Sequence, residues 1–156
     1  MKRKVKYSEG TWFAIPLREG GFALGLVARA TPKGPQILAY LFGPKRDGMP
    51  TLAQTADLRA SSAVKVLRAG DLHLLDGRWK VLGESSDFRR EEWPFPRFVR
   101  NEEIGRRSWV VEYAEDDPGR VVAEVPVEFG SSTLERDSLY GAGAVEIVLT
   151  RLLGGS

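Results

Sequence analysis

The chain of 156 residues contains no cysteine, which excludes disulfides, thiolate nucleophiles and thiolate metal ligands. That composition fits a reducing compartment. There is one histidine, His73, so a zinc site built from His and Cys ligands cannot be assembled. No apolar run approaches the roughly 20 residues of a membrane-spanning helix. Val5-Lys6-Tyr7-Ser8-Glu9 is not the apolar core of a secretory leader. The expectation is a cytoplasmic protein. Net charge is also scarce: 23 basic against 21 acidic residues give +2. Residues 1–6 carry four of the positive charges and no negative one, leaving 19 basic and 21 acidic residues elsewhere. A dedicated nucleic-acid binder carries a basic face across its domain. Here only the N-terminal arm, Lys2, Arg3, Lys4 and Lys6, offers phosphate a concentrated charge.

What the chain has in abundance is punctuation. Seventeen glycines and nine prolines favour short strands and turns over long helices. The length suits one domain over residues 1–156. Residues 11–17 alternate as a strand, with Trp12, Ala14 and Pro16 on one face and Phe13, Ile15 and Leu17 on the other. Pro16 lacks an N–H, which predicts an edge strand or a bulge there. Arg18-Glu19-Gly20-Gly21 reads as a tight turn into a returning strand over 22–29. Gln36 to Phe42 is continuously apolar, which predicts a strand covered on both faces. Residues 43–50 read as an exposed loop, and 51–62 have room for a helical turn. Further strands are predicted at 63–67, 79–83, 107–113 and 120–127, the last two joined as a hairpin across Glu115-Asp116-Asp117-Pro118-Gly119. Residues 84–107 read as a long charged loop with aromatic anchors. Val145, Val148, Leu149 and Leu152 match a helical stripe, while Val145, Ile147 and Leu149 also alternate as in a strand. The helix is preferred because Gly154-Gly155 suits its end. The predicted fold is mainly β (α+β): a twisted antiparallel sheet or partly open barrel of about seven strands with a C-terminal helix.

The chain carries little that resembles a catalytic set. His73 lies near Asp71 and Asp76, either of which could orient it, but no serine sits in a G-x-S-x-G turn. Asp71, Asp76, Glu84 and Asp87 are hard-cation ligands by type, without EF-hand spacing. Gly141-Ala142-Gly143-Ala144-Val145-Glu146 begins like a dinucleotide fingerprint, yet places a carboxylate where the third glycine belongs and lacks a βαβ setting. Glu91-Glu92, Glu102-Glu103 and Asp116-Asp117 are paired carboxylates in charged, turn-rich stretches. Solvated loops explain them, since glycosidase chemistry needs two carboxyls facing across a substrate. No catalytic residue, cofactor or metal site is assigned.

The most informative segment is Arg89-Arg90-Glu91-Glu92-Trp93-Pro94-Phe95-Pro96-Arg97-Phe98. Trp and Arg are enriched among interface hot spots, and the prolines lower the ordering cost of binding. The alternative is that Trp93, Phe95 and Phe98 only fasten a loop to the core. Arg interleaved with aromatics also suits single-stranded nucleic acid, but Glu91, Glu92, Glu102 and Glu103 oppose that. The candidate partner-binding residues are Arg89, Arg90, Glu91, Glu92, Trp93, Phe95, Asp116 and Asp117.

Three stretches together resemble a known family. They are "EGTWFAIPLREGGFALGLVAR", "ILAYLFG" and "LHLLDGRWKVLG". Their shared patterns are G-x-x-F-x-I-P-L (Gly10, Phe13, Ile15, Pro16, Leu17), F-A-x-G-x-V (Phe22, Ala23, Gly25, Val27) and L-x-D-G-x-W-x-V-x-G (Leu74, Asp76, Gly77, Trp79, Val81, Gly83). The order and spacing resemble the immunity-protein-26 family of bacterial polymorphic toxin systems, over about residues 7–99. The resemblance implies a mostly β scaffold in a bacterial cytoplasm. Its implied role is that of an antidote that binds a cognate toxin domain made by the same bacterium. No nucleic acid or membrane partner is expected. If that toxin is a nuclease with a basic active site, Glu91, Glu92, Asp116 and Asp117 would steer its approach. The competing readings are a small β-barrel module that binds nucleic acid through the basic arm, and an enzyme using His73.

Overall fold

A computed structural model describes residues 5–154. Residues 1–4, most of the basic arm, lie outside the described residues. Strands β1 (Thr11–Pro16), β2 (Phe22–Ala30), β3 (Gln36–Arg46) and β4 (Lys65–Gly70) are followed by the short helix α1 (Leu72–Leu75) and β5 (Lys80–Glu84). Then come β6 (Phe98–Glu102), β7 (Arg107–Ala114), β8 (Asp117–Val127), β9 (Leu139–Tyr140) and the helix α2 (Ala142–Leu153). One sheet has the order β5-β1-β2-β3-β4-β9 and a second the order β6-β7-β8. The fold is mainly β and open, and α2 packs on one face of the larger sheet. All pairings between these strands are antiparallel except β4 with β9.

The β1–β2 hairpin forms where the turn chemistry requires it: Gly20 and Gly21 take φ of 94° and 83°, and Leu17 N–H donates to Gly21 O. Period-two alternation then sends β1 side chains into two cores. Phe13, Ile15 and Leu17 join Val27, Ile37, Leu41 and Leu67 on one face, under Leu74 of α1, Trp79, and Val145 and Leu149 of α2. Trp12 joins Leu24, Leu26, Leu38, Tyr40 and Phe42 on the opposite face, under Trp93, Phe98, Val111 and Tyr113. β3 is therefore apolar at every position from Ile37 to Phe42 because both its faces are covered.

The motif glycine Gly25 stands opposite Phe13, and a Cβ on it would lie 2.4 Å from the Phe13 ring. Its bare backbone lets that ring lie flat against Trp79, with centroids 5.5 Å apart and planes 9° apart.

Several expectations change. β1 is an interior strand, not an edge. Its pairing with β5 ends at Ala14 and its bulge falls between Trp12 and Phe13, so Pro16 lies outside the part paired on both sides. The stretch 43–50 is partly strand, since β3 runs on to Arg46 to meet Phe22. Residues 51–62 hold two 3-10 turns, Leu52–Thr55 and Ala60–Ser62. Residues 84–107 are not one loop. Phe98–Glu102 is strand β6, paired with β7 from Phe98↔Val111 to Glu102↔Arg107. With only two apolar residues in a charged stretch, β6 owes its form to its neighbour rather than to its own pattern. The second hairpin turns more tightly than predicted, because Ala114 pairs with Asp117. The C-terminal segment is helix α2.

Candidate functional site

The segment 84–97 crosses the face of the larger sheet that carries Trp12 and Tyr40. Arg90–Glu92 makes one 3-10 turn. Trp93 then drops into the core, edge-on to Trp12, Tyr40 and Phe42 at centroid distances of 5.9, 5.2 and 6.1 Å. The Tyr40 hydroxyl donates to Pro94 O. Burial pushes Tyr40 up to about 12, with Arg29 opposing and Glu115 adding to the rise, so it stays a donor. Phe95 stacks on Tyr113 at 5.9 Å and meets Phe98 edge-on. Trp93 and Phe95 thus anchor the segment, and of the candidate residues on it Arg89, Glu91 and Glu92 are left outward. Arg89 Nε lies 3.5 Å from Glu92 Oε1, both largely exposed. Arg90 grips Glu9 through two bonds of 2.7 and 2.8 Å. The bond to Glu9 comes first in holding Arg90 above its ordinary value, against a smaller cost of burial, with Asp116 and Glu115 assisting.

The β7–β8 turn is drawn to the same place by Arg29, a residue the sequence reading missed. Arg29 is fully buried at the end of β2. Its Nε donates to Glu115 O at 2.7 Å and one terminal nitrogen donates to Ala28 O at 2.7 Å. The other pairs with the Glu115 carboxylate and reaches Arg90 O at 3.5 Å. One guanidinium therefore joins both candidate segments. The available signal was a single charge closing the apolar run Phe22–Ala30, where a buried cation requires partners. Asp116 is exposed and lies 3.4 Å from Arg120. Asp117 accepts the Gly119 N–H at 2.8 Å and shapes the start of β8.

Two openings border the 84–97 segment. The first is a cleft of ≈ 280 Å³ between that segment and the turns around residues 55–60. Trp12, Phe88 and Trp93 line it, with Asp87 and Glu92 on one side and Arg59 among the residues of the other. The second, ≈ 380 Å³ and more open, shares Ala60 with the first and continues past Val64, Pro96 and Leu134.

The remaining candidates are accounted for locally. His73 Nδ1 lies 3.0 Å from Asp76 Oδ2, whereas Asp71 accepts the Tyr7 hydroxyl at 2.6 Å. The Arg78 backbone N–H, then the His73 bond, hold Asp76 below the usual carboxylate range. Glu102 pairs with Arg107 at 2.9 Å. Among the described residues no three His, Cys, Asp or Glu are grouped to hold a metal ion, and no helix is long and apolar enough to cross a membrane. Gly141 caps the start of α2. Glu146, which spoiled the dinucleotide pattern, is fully buried. It accepts bonds from Arg18 (2.9 Å), Arg78 (2.8 and 3.0 Å) and the Trp79 indole (3.0 Å). Burial alone would raise its carboxyl, but these donors together hold it below the usual range.

The family model described as Immunity protein 26 matches residues 8–110. No curated protein and no solved structure matches the chain.

Proposed function

Because the chain belongs to the immunity protein 26 family, we propose that it binds a cognate toxin domain and blocks it by occupying its surface. The observation that carries this reading is the family match over residues 8–110. The chemistry required is modest. A stable complex buries roughly 800 Å² on each partner, under a tenth of the 8986 Å² of accessible surface.

The face built from segment 84–97 and the β7–β8 turn supports the reading in a second way. Arg29 holds the two segments together from within the core, so the face is preorganised and little ordering cost remains on binding. Glu91, Glu92 and Asp116 lie outward on it and would speed the approach of a basic toxin surface, an effect that salt screens.

Co-expression with the toxin domain encoded beside this chain tests the proposal. The expected result is cell survival and co-purification of both proteins in a fixed ratio through a tag on this chain. Folded proteins that neither associate nor rescue growth would overturn it for that toxin.

A further inference from the structure

We infer that the cleft floored by Trp12 and Trp93 seats a lysine or arginine side chain presented by the toxin domain. This inference rests on the proposed antidote function and names the contact through which it would work.

Size comes first. At ≈ 280 Å³ the cleft falls just short of the ~300–1,000 Å³ typical of small-molecule sites, and it suits one long side chain. Charge comes next. Two carboxylates, Asp87 and Glu92, and one guanidinium, Arg59, are its charged lining residues, so the balance favours a cation. Among the described residues neither carboxylate is locked into a strong pair: Asp87 accepts only the Ser85 hydroxyl at 3.1 Å, and Glu92 meets Arg89 at 3.5 Å through side chains that are 69% and 55% exposed.

The floor adds a third element. Trp12 and Trp93, at 4% and 8% exposure, offer the cleft a small apolar strip beside the half-buried Phe88. A long basic side chain lays its methylenes on such a surface while its head meets the carboxylates at the rim. The second opening continues from Ala60, so a partner segment lying across Ala60 places an apolar neighbour against Val64 and Pro96.

The first test needs no toxin. N-acetyl-arginine amide is titrated against the whole chain while the four tryptophan indole N–H signals are followed by NMR. Its neutral analogue, N-acetyl-citrulline amide, is the control. Saturable shifts of the Trp12 and Trp93 signals with the cation, at least tenfold weaker with the neutral analogue and lost in D87N/E92Q, are expected. Trp79 and Trp109 should not move. Equal response to both probes, or none, overturns the inference.

The second test uses the complex. D87N/E92Q, with an unchanged melting temperature, should bind the co-purifying toxin domain at least tenfold more weakly. If wild type rescues cells and the variant binds equally well, the cleft assignment is wrong and the antidote reading stands. If wild type neither binds nor rescues, the antidote reading fails for that toxin, and the assignment to a toxin side chain falls with it. The probe titration then still decides whether the cleft prefers a cation.

Discussion

The two faces of the six-stranded sheet are covered in different ways. One lies under regular elements and a tryptophan stacked flat on Phe13. Its most deeply buried carboxylate, Glu146, has both oxygens bonded. The other lies partly under irregular chain, where Trp93 meets its neighbours edge-on and two openings remain. The first face has its opening at its border, where Tyr7, Ala30, Asp71 and Leu75 line a space of ≈ 610 Å³. An irregular segment pinned by single aromatic anchors closes over a sheet only at those anchors. The first face is closed over its centre by stacked and hydrogen-bonded groups, whereas the second stays open beside its anchors.

The sharpest way to break this comparison is to truncate one tryptophan on each face. Trp79→Ala should cost about 4 kcal/mol and Trp93→Ala about 3 kcal/mol, because Trp93 borders a cleft that water can fill. Guanidinium denaturation measures both. A larger cost at Trp93 would mean that the irregular cover is the better packed of the two.

A smaller effect separates the faces by pH. The folded-state carboxyl of Glu146 is held below its ordinary value, which is about 4.3 for a free glutamate. Its contribution is fully present above that ordinary value and is lost as pH falls through the depressed one. Glu146→Gln should therefore cost about 2 kcal/mol at pH 7, with the gap to wild type narrowing in unfolding experiments near pH 3. A gap that stays constant with pH would show that the ion network adds nothing beyond shape.

The smallest effect belongs to the cleft rim. Glu92→Gln breaks an exposed pair and should change stability by less than about 0.5 kcal/mol, measured by the same unfolding curves. A larger loss would place Glu92 in the architecture rather than on the binding surface.

Residues close together in the chain determined much of this protein. The alternation Trp12–Leu17 assigned each side chain to its face, the Gly20-Gly21 turn closed the first hairpin, and the unbroken apolar run Ile37–Phe42 announced a strand buried on both sides. Such signals survive without a structure because period and turn chemistry act over a few residues. Others needed the tertiary structure. Residues 98–102 become strand only beside β7. The ambiguous segment after Gly141 becomes a helix whose Glu146 reaches Arg78 and Trp79, 68 and 67 positions away. Arg29 finds Glu115 across 86 positions and so decides that two separate charged stretches form one face. Those partners are chosen by burial: a charge or an indole N–H withdrawn from water takes the nearest group that can satisfy it, and only the folded chain determines which group that is.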